Sequence, residues 1–423
     1  MKYVIVGNGA AAINALLTIR QYSSDPIVLI SKEKCPAYSP LLIPYYISGQ
    51  LHYEDMFLCD YAFYEGNAVE TRFGSAAVIL HPDDKLIRLE DGSVISYDRL
   101  LIATGSGPIL PPIPGSNPSE VYTVWTPLDA RRIKNALNRA RRVVIVGAGP
   151  IGMRMMEILH LMRKQVTIIV RGQRVIRTIL NPTVSEILQD RMKKEGICFL
   201  PGTKVASIEE TPKGKVLYLD SGTVLEADMV IMAAGAAPNT DIAKGSGIKV
   251  GQGIVVDEHC RTNVLDIYAA GDVAEMISPV TGGSEINPTW INAVFQGRTA
   301  GANMAGVTTS HPLRARVNVF NVLGLPVVSI GPVPQEGDDY RTLINRGNSY
   351  NYECLYFDGE RLASAVLIGN VGKTGILVQM IERGVPCSCV STDARHKLFS
   401  IQAWLCSFMI SELRTLPDTS NIG

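Results

Sequence analysis

The chain has 423 residues, of which 46% are hydrophobic and 19% are charged, so it can bury cores of ordinary size in more than one domain. Its 40 lysines and arginines balance 40 aspartates and glutamates, and this zero net charge gives no sign of a nucleic-acid or anionic-membrane partner. No apolar run reaches the roughly 18–20 residues that cross a bilayer, and the eight cysteines show no metal-binding spacing, so we predict a cytoplasmic protein without a metal.

The first predicted element is a strand over residues 3–6 that leads directly into a glycine fingerprint. The fingerprint and the start of the following helical stretch read Gly7-Asn8-Gly9-Ala10-Ala11-Ala12. The order strand, glycine turn and helix is typical of a dinucleotide site, where the helix N-terminus receives the pyrophosphate and the glycines allow its close approach. A cleaved leader peptide would remove this strand, so we expect none.

A second buried strand is predicted over residues 27–30 and is followed by Ser31 and Glu33. Glu33 lies 24 residues after Gly9, close to the spacing of about 20 at which an acid binds the adenosine ribose; the alternative is a solvated loop carboxylate. Strand-like runs between residues 85 and 102 surround Asp91-Gly92, which is a hairpin signal. Residues 105–118 are rich in proline and glycine and are predicted to form a linker.

The same fingerprint returns after the apolar run 143–146, as Gly147-Ala148-Gly149-Pro150-Ile151-Gly152. Further strands are predicted over residues 166–170 and 229–232. Arg171 and Arg177 follow the first of these, and guanidinium groups suit the 2′-phosphate of NADPH, but ordinary surface arginines are the alternative, so NADH and NADPH both stay open. Two fingerprints predict two bound dinucleotides and electron transfer between them.

Beyond about residue 315 the pattern changes to strands over residues 327–330, 350–357 and 362–368, followed by a helix over 374–383. Apolar residues recur at helical spacing over residues 398–409. We expect this last segment to pack on its own domain, although docking of a partner or a second copy is the alternative.

With these motifs in this order, residues 1–315 resemble the FAD-dependent pyridine nucleotide–disulfide oxidoreductases. The first fingerprint resembles the family's FAD motif and the second its NAD(P) motif. Residues 101–105 and 234–239 resemble the segments that leave the first FAD half and the NAD(P) domain. Residues 262–272 resemble the motif whose aspartate, here Asp272, contacts the ribitol; a plain helix cap is the alternative. Residues 293–300 resemble the helix whose N-terminus, near Thr289 here, faces the flavin.

The resemblance implies an α/β fold with two nested Rossmann-like domains and a C-terminal α+β interface domain. The implied boundaries are 1–112 and 253–315 for the FAD domain, 113–252 for the NAD(P) domain and 316–423 for the interface domain. The implied FAD contacts are Gly7, Gly9, Ala10, Ala11, Ala12, Ser31, Glu33, Ala77, Ala103, Thr104, Gly105, Gly271, Asp272 and Thr289. The implied NAD(P) contacts are Gly147, Gly149, Pro150, Ile151, Gly152, Arg171, Arg177 and Gly235.

The chain departs from the family at the redox thiol. Residues 37–49 resemble the segment that carries the family's redox cysteine, but Leu41 stands at that position and cannot form a thiolate. Cys35 lies six residues earlier and would need an electropositive, accessible setting to replace it. A second departure is Arg154, where the family often has a glutamate beside the nicotinamide; it either pairs with Glu157 or alters the nicotinamide geometry.

The sequence therefore predicts an FAD-dependent NAD(P)H oxidoreductase without a redox disulfide or other catalytic side chain. A hydride would pass between nicotinamide and flavin N5, and an external iron–sulfur protein or subunit would exchange electrons with the flavin. Relatives with a similar segment at residues 38–49 and the Asn-Met-Ala-Gly sequence found here at residues 303–306 include the flavin subunit of phenylglyoxylate dehydrogenase, a 2-oxoacid complex, and rubredoxin or ferredoxin reductases. A homo-oligomer and a hetero-oligomer are both compatible with this resemblance, so the oligomeric state stays open. The alternatives are a stand-alone NADH oxidase and a redox-sensing flavoprotein without significant turnover.

Overall fold

The computed structural model describes residues 1–117, 120–278, 282–312, 314–334, 337–347, 350–384 and 386. The predicted apolar segment over residues 398–409 lies outside these residues, as do two closely spaced cysteines of the eight, Cys387 and Cys389. The described residues form two compact units, the first made of Met1–Ile176, Leu188–Ser278 and Gly282–Arg314, and the second made of Arg177–Ile187 and the described residues that follow Arg314.

The α-helices of the described residues are α1 (Ala10–Tyr22), α2 (Ile43–Ile47), α3 (Tyr61–Gly66), α4 (Pro127–Leu137), α5 (Pro150–Leu161), α6 (Pro182–Lys194), α7 (Trp290–Met304) and α8 (Thr374–Arg383). The strands are β1 (Tyr3–Val6), β2 (Ile27–Ser31), β3 (Val69–Phe73), β4 (Ala77–His81), β5 (Leu86–Leu89), β6 (Val94–Ser96), β7 (Arg99–Ile102), β8 (Ser106–Pro108), β9 (Tyr122–Thr123), β10 (Arg142–Val146), β11 (Gln165–Val170), β12 (Cys198–Pro201), β13 (Val205–Thr211), β14 (Gly214–Leu219), β15 (Val224–Ala227), β16 (Met229–Met232), β17 (Ala236–Pro238), β18 (Ile254–Val255), β19 (Ile267–Ala269), β20 (Ala274–Ile277), β21 (Ser284–Glu285), β22 (Val317–Val322), β23 (Leu325–Ile330), β24 (Arg341–Arg346), β25 (Tyr352–Asp358) and β26 (Arg361–Ile368). Short 3-10 turns occupy Pro40–Leu42, Glu54–Met56 and Asp241–Ala243.

The first sheet of the first unit is parallel, with strand order β19-β7-β1-β2-β3. Its central strands are buried along their whole length, as expected when a parallel sheet is covered on both faces. From β1 the chain moves outward to β2 and β3, and it later returns to β7 and β19 on the other side of β1. The carboxyl edge between β1 and β7 is therefore a topological switch point, where α/β sheets bind ligands.

The second parallel sheet repeats this plan, with strand order β12-β11-β10-β16-β9. Its switch point lies between β10 and β16. The two Rossmann-like sheets confirm the predicted α/β fold class. Two three-stranded antiparallel sheets, β4-β5-β6 and β13-β14-β15, accompany them, and the predicted hairpin turn at Asp91-Gly92 joins β5 to β6.

The predicted linker over residues 105–118 is wrong at its beginning, because β8 pairs with β17 as an antiparallel ribbon. The chain leaves the first sheet after β7 and comes back from the second sheet after β16. The two crossing segments run side by side, so each satisfies backbone hydrogen-bonding groups of the other. Proline and glycine content alone did not indicate this pairing.

Helix α7 packs directly against α1. A Cβ placed on Gly297 would lie 2.2 Å from the carbonyl oxygen of Ala11, and one on Gly301 would lie 2.6 Å from that of Ala15. Because residue numbers rise together along both helices, α1 and α7 are parallel. Helix α7 begins seven residues before Gly297, whereas α1 begins one residue before Ala11. The N-terminus of α7 therefore extends about six residues, or roughly 9 Å, beyond that of α1.

The second unit contains an antiparallel sheet with strand order β22-β23-β26-β25-β24. Strands β25 and β26 are almost wholly buried, and α8 contributes Leu377 and Met380 to the same apolar core. The strands and the helix predicted beyond residue 315 are confirmed here, with shifts of a few residues at their ends.

Candidate dinucleotide sites

The first fingerprint closes around a glycine that no other residue can replace without distortion. Gly7 has a φ of +121°, and a Cβ placed on it would lie 2.0 Å from the carbonyl oxygen of Ala103. The turn is fixed on both sides, since the Gly7 N–H donates to Ile30 O at 2.8 Å and the Ala103 N–H donates to Val6 O at 2.7 Å. The ends of β1 and β7 are thus held in contact at the switch point.

The second fingerprint has the same geometry. Gly147 has a φ of +115°, and a Cβ on it would lie 2.1 Å from the carbonyl oxygen of Ala233, whose N–H donates to Val146 O at 2.8 Å. A Cβ on Gly152 would lie 2.3 Å from the carbonyl oxygen of Gly147, so this third glycine lets α5 approach the turn. The repeated sequence therefore folds into a repeated site.

The helices that follow both fingerprints start without a side-chain cap. Gly9 and Gly149 occupy the N-cap positions of α1 and α5, whereas Thr126 and Thr289 cap α4 and α7 with their hydroxyls. The first-turn N–H groups of a helix have no acceptor within the helix. A Cβ on either N-cap glycine would meet nothing within 4 Å. Exposed donors beside open space fit a pyrophosphate, so both sites suit a dinucleotide.

Gly271 and Asp272 join the first site from β19. The Gly271 N–H donates to Gln296 Oε1 of α7 at 2.8 Å, and a Cβ on Gly271 would lie 3.2 Å from that of Ala11. Asp272 Oδ2 accepts a hydrogen bond from Ser106 Oγ at 2.9 Å. Gly271 of the second half therefore lies beside Ala11 in the first turn of α1, while the contacts of Gly271 and Asp272 with FAD stay predictions.

Thr104 and Gly105 directly precede β8, and Gly235 directly precedes β17, at the crossing between the two sheets. Asn239 binds both Thr104 and Gly105. Its backbone N–H donates to Gly105 O at 2.9 Å, and its Nδ2 donates to Thr104 O at 2.9 Å. On the other side, Gly235 O accepts from the Ile109 N–H at 2.9 Å. The two segments predicted to leave their sheets are therefore bound to each other.

The predicted adenosine-ribose acid has protein partners of its own. Glu33 Oε1 accepts from Tyr38 Oη at 3.1 Å, and Oε2 lies 3.7 Å from Cys35 Sγ. Burial raises the pKa of Glu33. Ser31 Oγ accepts from the Glu33 N–H at 3.2 Å, and Ala77 lies in β4 opposite Leu89. The contacts of Ser31, Glu33 and Ala77 with FAD stay predictions.

The two residues weighed for thiol chemistry differ in their surroundings. Leu41 lies in the turn Pro40–Leu42 and its side chain is 64% exposed. Cys35 is half-buried, and burial together with Glu33 raises its pKa to about 12. A thiol with such a pKa is not a thiolate at neutral pH, so Cys35 lacks the electropositive setting that a redox role requires.

Arg154 pairs with Glu157, as the first of the two sequence interpretations predicted. Its guanidinium also lies 4.6 Å from the ring centroid of Tyr45, so it connects α5 with α2. Arg171 is exposed directly after β11, and Arg177 is exposed at the start of the segment that belongs to the second unit. Sequence reasoning missed Arg174, one of whose buried guanidinium nitrogens has no partner among the described residues.

Sequence reasoning also missed a buried tyrosine that fixes the first fingerprint. Tyr64 is 1% exposed, and its Oη donates to Asn8 Oδ1 at 2.8 Å and accepts from the Ala37 N–H at 3.0 Å. Asn8 Nδ2 in turn donates to Cys35 O at 3.2 Å. The fingerprint is thereby tied to the loop that precedes Leu41. A tyrosine in the short helix α3 carries no sequence signal for this role.

The described residues bear on metal binding and on membrane-spanning helices. Within the described ranges, no group of three or more histidine, cysteine or acidic side chains is placed to hold a metal ion. Over the same ranges, every helix is too short or too polar to span a membrane.

Two family profiles match the chain. The profile described as pyridine nucleotide-disulphide oxidoreductase matches residues 1–297, and that described as the rubredoxin NAD+ reductase C-terminal domain matches residues 317–385. The first match alone covers well over half of the 423 residues.

Several characterised proteins are similar along most of their length. The chain is 31% identical to the NADH-dependent phenylglyoxylate dehydrogenase subunit epsilon of Aromatoleum evansii, over 90% of this chain and 91% of that protein. It is 36% identical to the NADH oxidase of Methanocaldococcus jannaschii, over 73% and 70%. It is 28% identical to the rubredoxin-NAD(+) reductase of Pseudomonas putida, over 89% and 98%.

Solved structures share the fold. An engineered water-forming NADPH oxidase bound to NADPH, derived from a Lactobacillus brevis enzyme, superposes with a TM-score of 0.87 at 23% identity and covers 92% of both chains. Putidaredoxin reductase, in a covalent complex with putidaredoxin, superposes with a TM-score of 0.84 at 24% identity and covers 91% of this chain and 94% of its own. At these identities the likeness concerns the fold.

Proposed function

Since the chain belongs to the pyridine nucleotide-disulphide oxidoreductase family, we propose that it is the member that passes electrons between NAD(P)H and an external iron–sulfur protein or subunit through FAD. The observation that best supports this proposal is that the same glycine turn occurs twice, at Gly7 and at Gly147. Each turn lies beside a helix N-terminus that has no side-chain cap. Two dinucleotide sites in one chain are more typical of an enzyme that transfers electrons between them than of a protein that only binds nucleotides.

The first site is proposed to hold FAD. The N–H groups of Ala10, Ala11 and Ala12 would donate to its pyrophosphate, and Asp272 would accept from ribitol hydroxyls. The bound flavin would supply hydride exchange at N5 with the nicotinamide. The protein contributes placement and electrostatics, because α7 directs its positive end past the pyrophosphate position.

The second site is proposed to hold NAD(P)H on the N-terminus of α5. Val170, rather than an acid, ends β11, and Arg171 and Arg177 follow it by one and seven residues. The engineered NADPH oxidase carries an alanine in place of an aspartate, with arginines introduced one and seven residues later. This spacing supports binding of NADPH in addition to the NADH named for the other relatives.

The electron partner is proposed to lie outside the chain. Leu41 cannot relay electrons, and the pKa of Cys35 is raised by burial, so neither offers an internal thiol path. Relatives named as a phenylglyoxylate dehydrogenase subunit, a rubredoxin reductase and a putidaredoxin reductase support an iron–sulfur partner, such as another subunit of a 2-oxoacid dehydrogenase complex.

Anaerobic mixing with NADH or NADPH tests the proposal. We expect the flavin absorbance to bleach within the mixing experiment and to return on addition of ferredoxin or rubredoxin, with slow recovery in air. Absence of bleaching with both nucleotides would refute electron transfer and favour a redox sensor. Rapid turnover with air alone would instead favour the NADH oxidase, the second candidate, which the 36% identical relative supports.

The remaining features of the proposal follow from the same assignment. We propose a cytoplasmic protein, supported by the described cysteines, all of which are free thiols. The FAD domain would comprise residues 1–112 and 253–315, the NAD(P) domain 113–252, and the interface domain 316–423. Native co-purification would identify iron-containing subunits of a hetero-oligomer, and a chain that never carries any would contradict that assembly.

A further inference from the structure

His311 is a buried base with a free lone pair behind the first turn of α7. The residue is 5% exposed, and its backbone N–H donates to the backbone carbonyl of Glu258 at 2.6 Å. Its Nε2 lies 3.1 Å from Asn292 Oδ1, whereas its buried Nδ1 has no hydrogen-bond partner among the described residues. Buried polar atoms are normally paired, so this nitrogen calls for an explanation.

The tautomer of His311 is fixed by its neighbours. Asn292 Nδ2 donates to Asn287 O at 2.9 Å, which directs Asn292 Oδ1 toward the imidazole. A carbonyl oxygen only accepts, so the ring proton lies on Nε2 and Nδ1 carries an unshared pair. Burial and the nearby Arg314 lower the pKa of His311 to about 4, so the ring is neutral at pH 7.

The position of α7 bears on what this base could do. The N-terminus of α7 extends roughly 9 Å past that of α1 and so past the proposed pyrophosphate position. The proposed function, through the family resemblance, places the flavin ring in front of this N-terminus. Asn292 belongs to the first turn of α7, where its N–H donates to Thr289 Oγ1 at 3.4 Å. His311 thus contacts the first turn of α7, which the proposed function sets opposite the ring.

We propose that His311 is a positioning residue that takes up a proton when the flavin is reduced. Hydride transfer from NAD(P)H to a bound flavin would oxidise the nicotinamide and add one negative charge to the site without taking a proton from water. The new negative charge stabilises the positively charged imidazolium form of His311, so its pKa rises. A proton from solvent then forms an N–H bond at Nδ1. The uptake stabilises the reduced state and is reversed when the electrons leave. This inference rests on the proposed function.

Other charged groups lie close enough to modify this response. Arg314, whose guanidinium lies 4.7 Å from the Phe295 ring centroid on α7, opposes protonation of His311. The loop against which His311 packs carries Glu258 and His259, whose side chains lie 3.7 Å apart, and His259 Nδ1 lies 2.7 Å from Thr309 O. His259 is therefore a neighbouring histidine that could be mistaken for the proton acceptor.

The test measures protons rather than turnover. The FAD-loaded protein, unbuffered and anaerobic, is reduced with one equivalent of NADH or NADPH while a pH-indicator dye reports proton uptake between pH 5 and 8. We expect fractional uptake that is largest near pH 5, just above the pKa of about 4 that His311 has before reduction, and almost none at pH 8. The variant His311→Gln keeps an amide donor for Asn292 but should take up no proton, whereas His259→Gln should match the unaltered protein.

Three results would overturn the inference: no uptake at any pH in the unaltered protein, equal uptake in His311→Gln, or loss of uptake in His259→Gln alone. If His311→Gln does not fold, Asn292→Asp replaces it. A carboxylate beside Nε2 should protonate His311 before reduction and abolish the uptake near pH 5, and an unchanged uptake would count against His311. A flavin that does not bleach would refute the proposed function, whereas bleaching without uptake would refute only this inference.

Discussion

Replacing Gly9 by alanine should weaken binding of the dinucleotide while leaving the stability of the fold almost unchanged. The backbone at Gly9 has a φ of −93°, which suits any residue, and a Cβ there meets nothing within 4 Å. Alanine is a poorer N-cap than glycine by up to about 1 kcal/mol, and a stiffer unfolded chain offsets roughly 0.4–1 kcal/mol of that. We therefore expect the free energy of unfolding of the FAD-free protein to change by less than about 1 kcal/mol.

Affinity for FAD should change far more. The new methyl group would occupy the open space in front of α1 that the pyrophosphate needs, so at least one hydrogen bond to a charged oxygen would be lost. Such a bond is worth about 1.5–3 kcal/mol, which corresponds to a roughly 10- to 150-fold rise in the Kd for FAD.

Gly7→Ala is the matched control with the opposite outcome. Its φ of +121° and the 2.0 Å approach to Ala103 O strain any side chain. Backbone strain costs about 1–3 kcal/mol and overpacking a further 1–3 kcal/mol, so the FAD-free variant should lose about 2–6 kcal/mol of stability.

Urea unfolding of the FAD-free proteins, followed by circular dichroism, measures stability, and quenching of flavin fluorescence on titration measures the Kd for FAD. The reasoning fails if Gly9→Ala destabilises the FAD-free fold as much as Gly7→Ala does. It also fails if Gly9→Ala binds FAD with an unchanged Kd, because the space in front of α1 would then not hold the pyrophosphate.

Three other substitutions test separate parts of the structure. Tyr64→Phe leaves Asn8 Oδ1 and the Ala37 N–H without a buried partner, so urea unfolding should show a loss of about 1–3 kcal/mol; an unchanged midpoint would contradict the role of Tyr64. Arg171→Ala should lower kcat/KM for NADPH about tenfold or more and that for NADH less than threefold in steady-state assays, and equal losses would argue against a 2′-phosphate contact. Because burial lowers the pKa of His311 from 6.5 to about 4, its contribution to stability is complete above pH 6.5 and is lost as the pH falls toward 4. Between pH 7 and 5 this loss amounts to about 2 kcal/mol, and urea unfolding at the two pH values should show it disappear in His311→Gln.

The sequence was sufficient for the parts of this protein that depend on local chemistry. A buried apolar strand, a glycine turn and a helix are neighbours in the chain, so both fingerprints, their strands and the hairpin at Asp91-Gly92 could be predicted from short segments. The absence of a thiol at Leu41 is likewise a matter of residue identity. The pairing of Arg154 with Glu157 followed from their spacing on one helix.

The contacts between distant segments could be found only in the tertiary structure, because no local pattern encodes which surfaces meet. The ribbon of β8 with β17 joins residues about 130 positions apart, and proline and glycine content predicted only a linker. The tie from Tyr64 to Asn8 and the approach of Gly297 to Ala11 also depend on chain crossings. His311 gave no sequence signal at all, since its burial and tautomer arise only where its segment meets Asn292 of α7 and the backbone at Glu258.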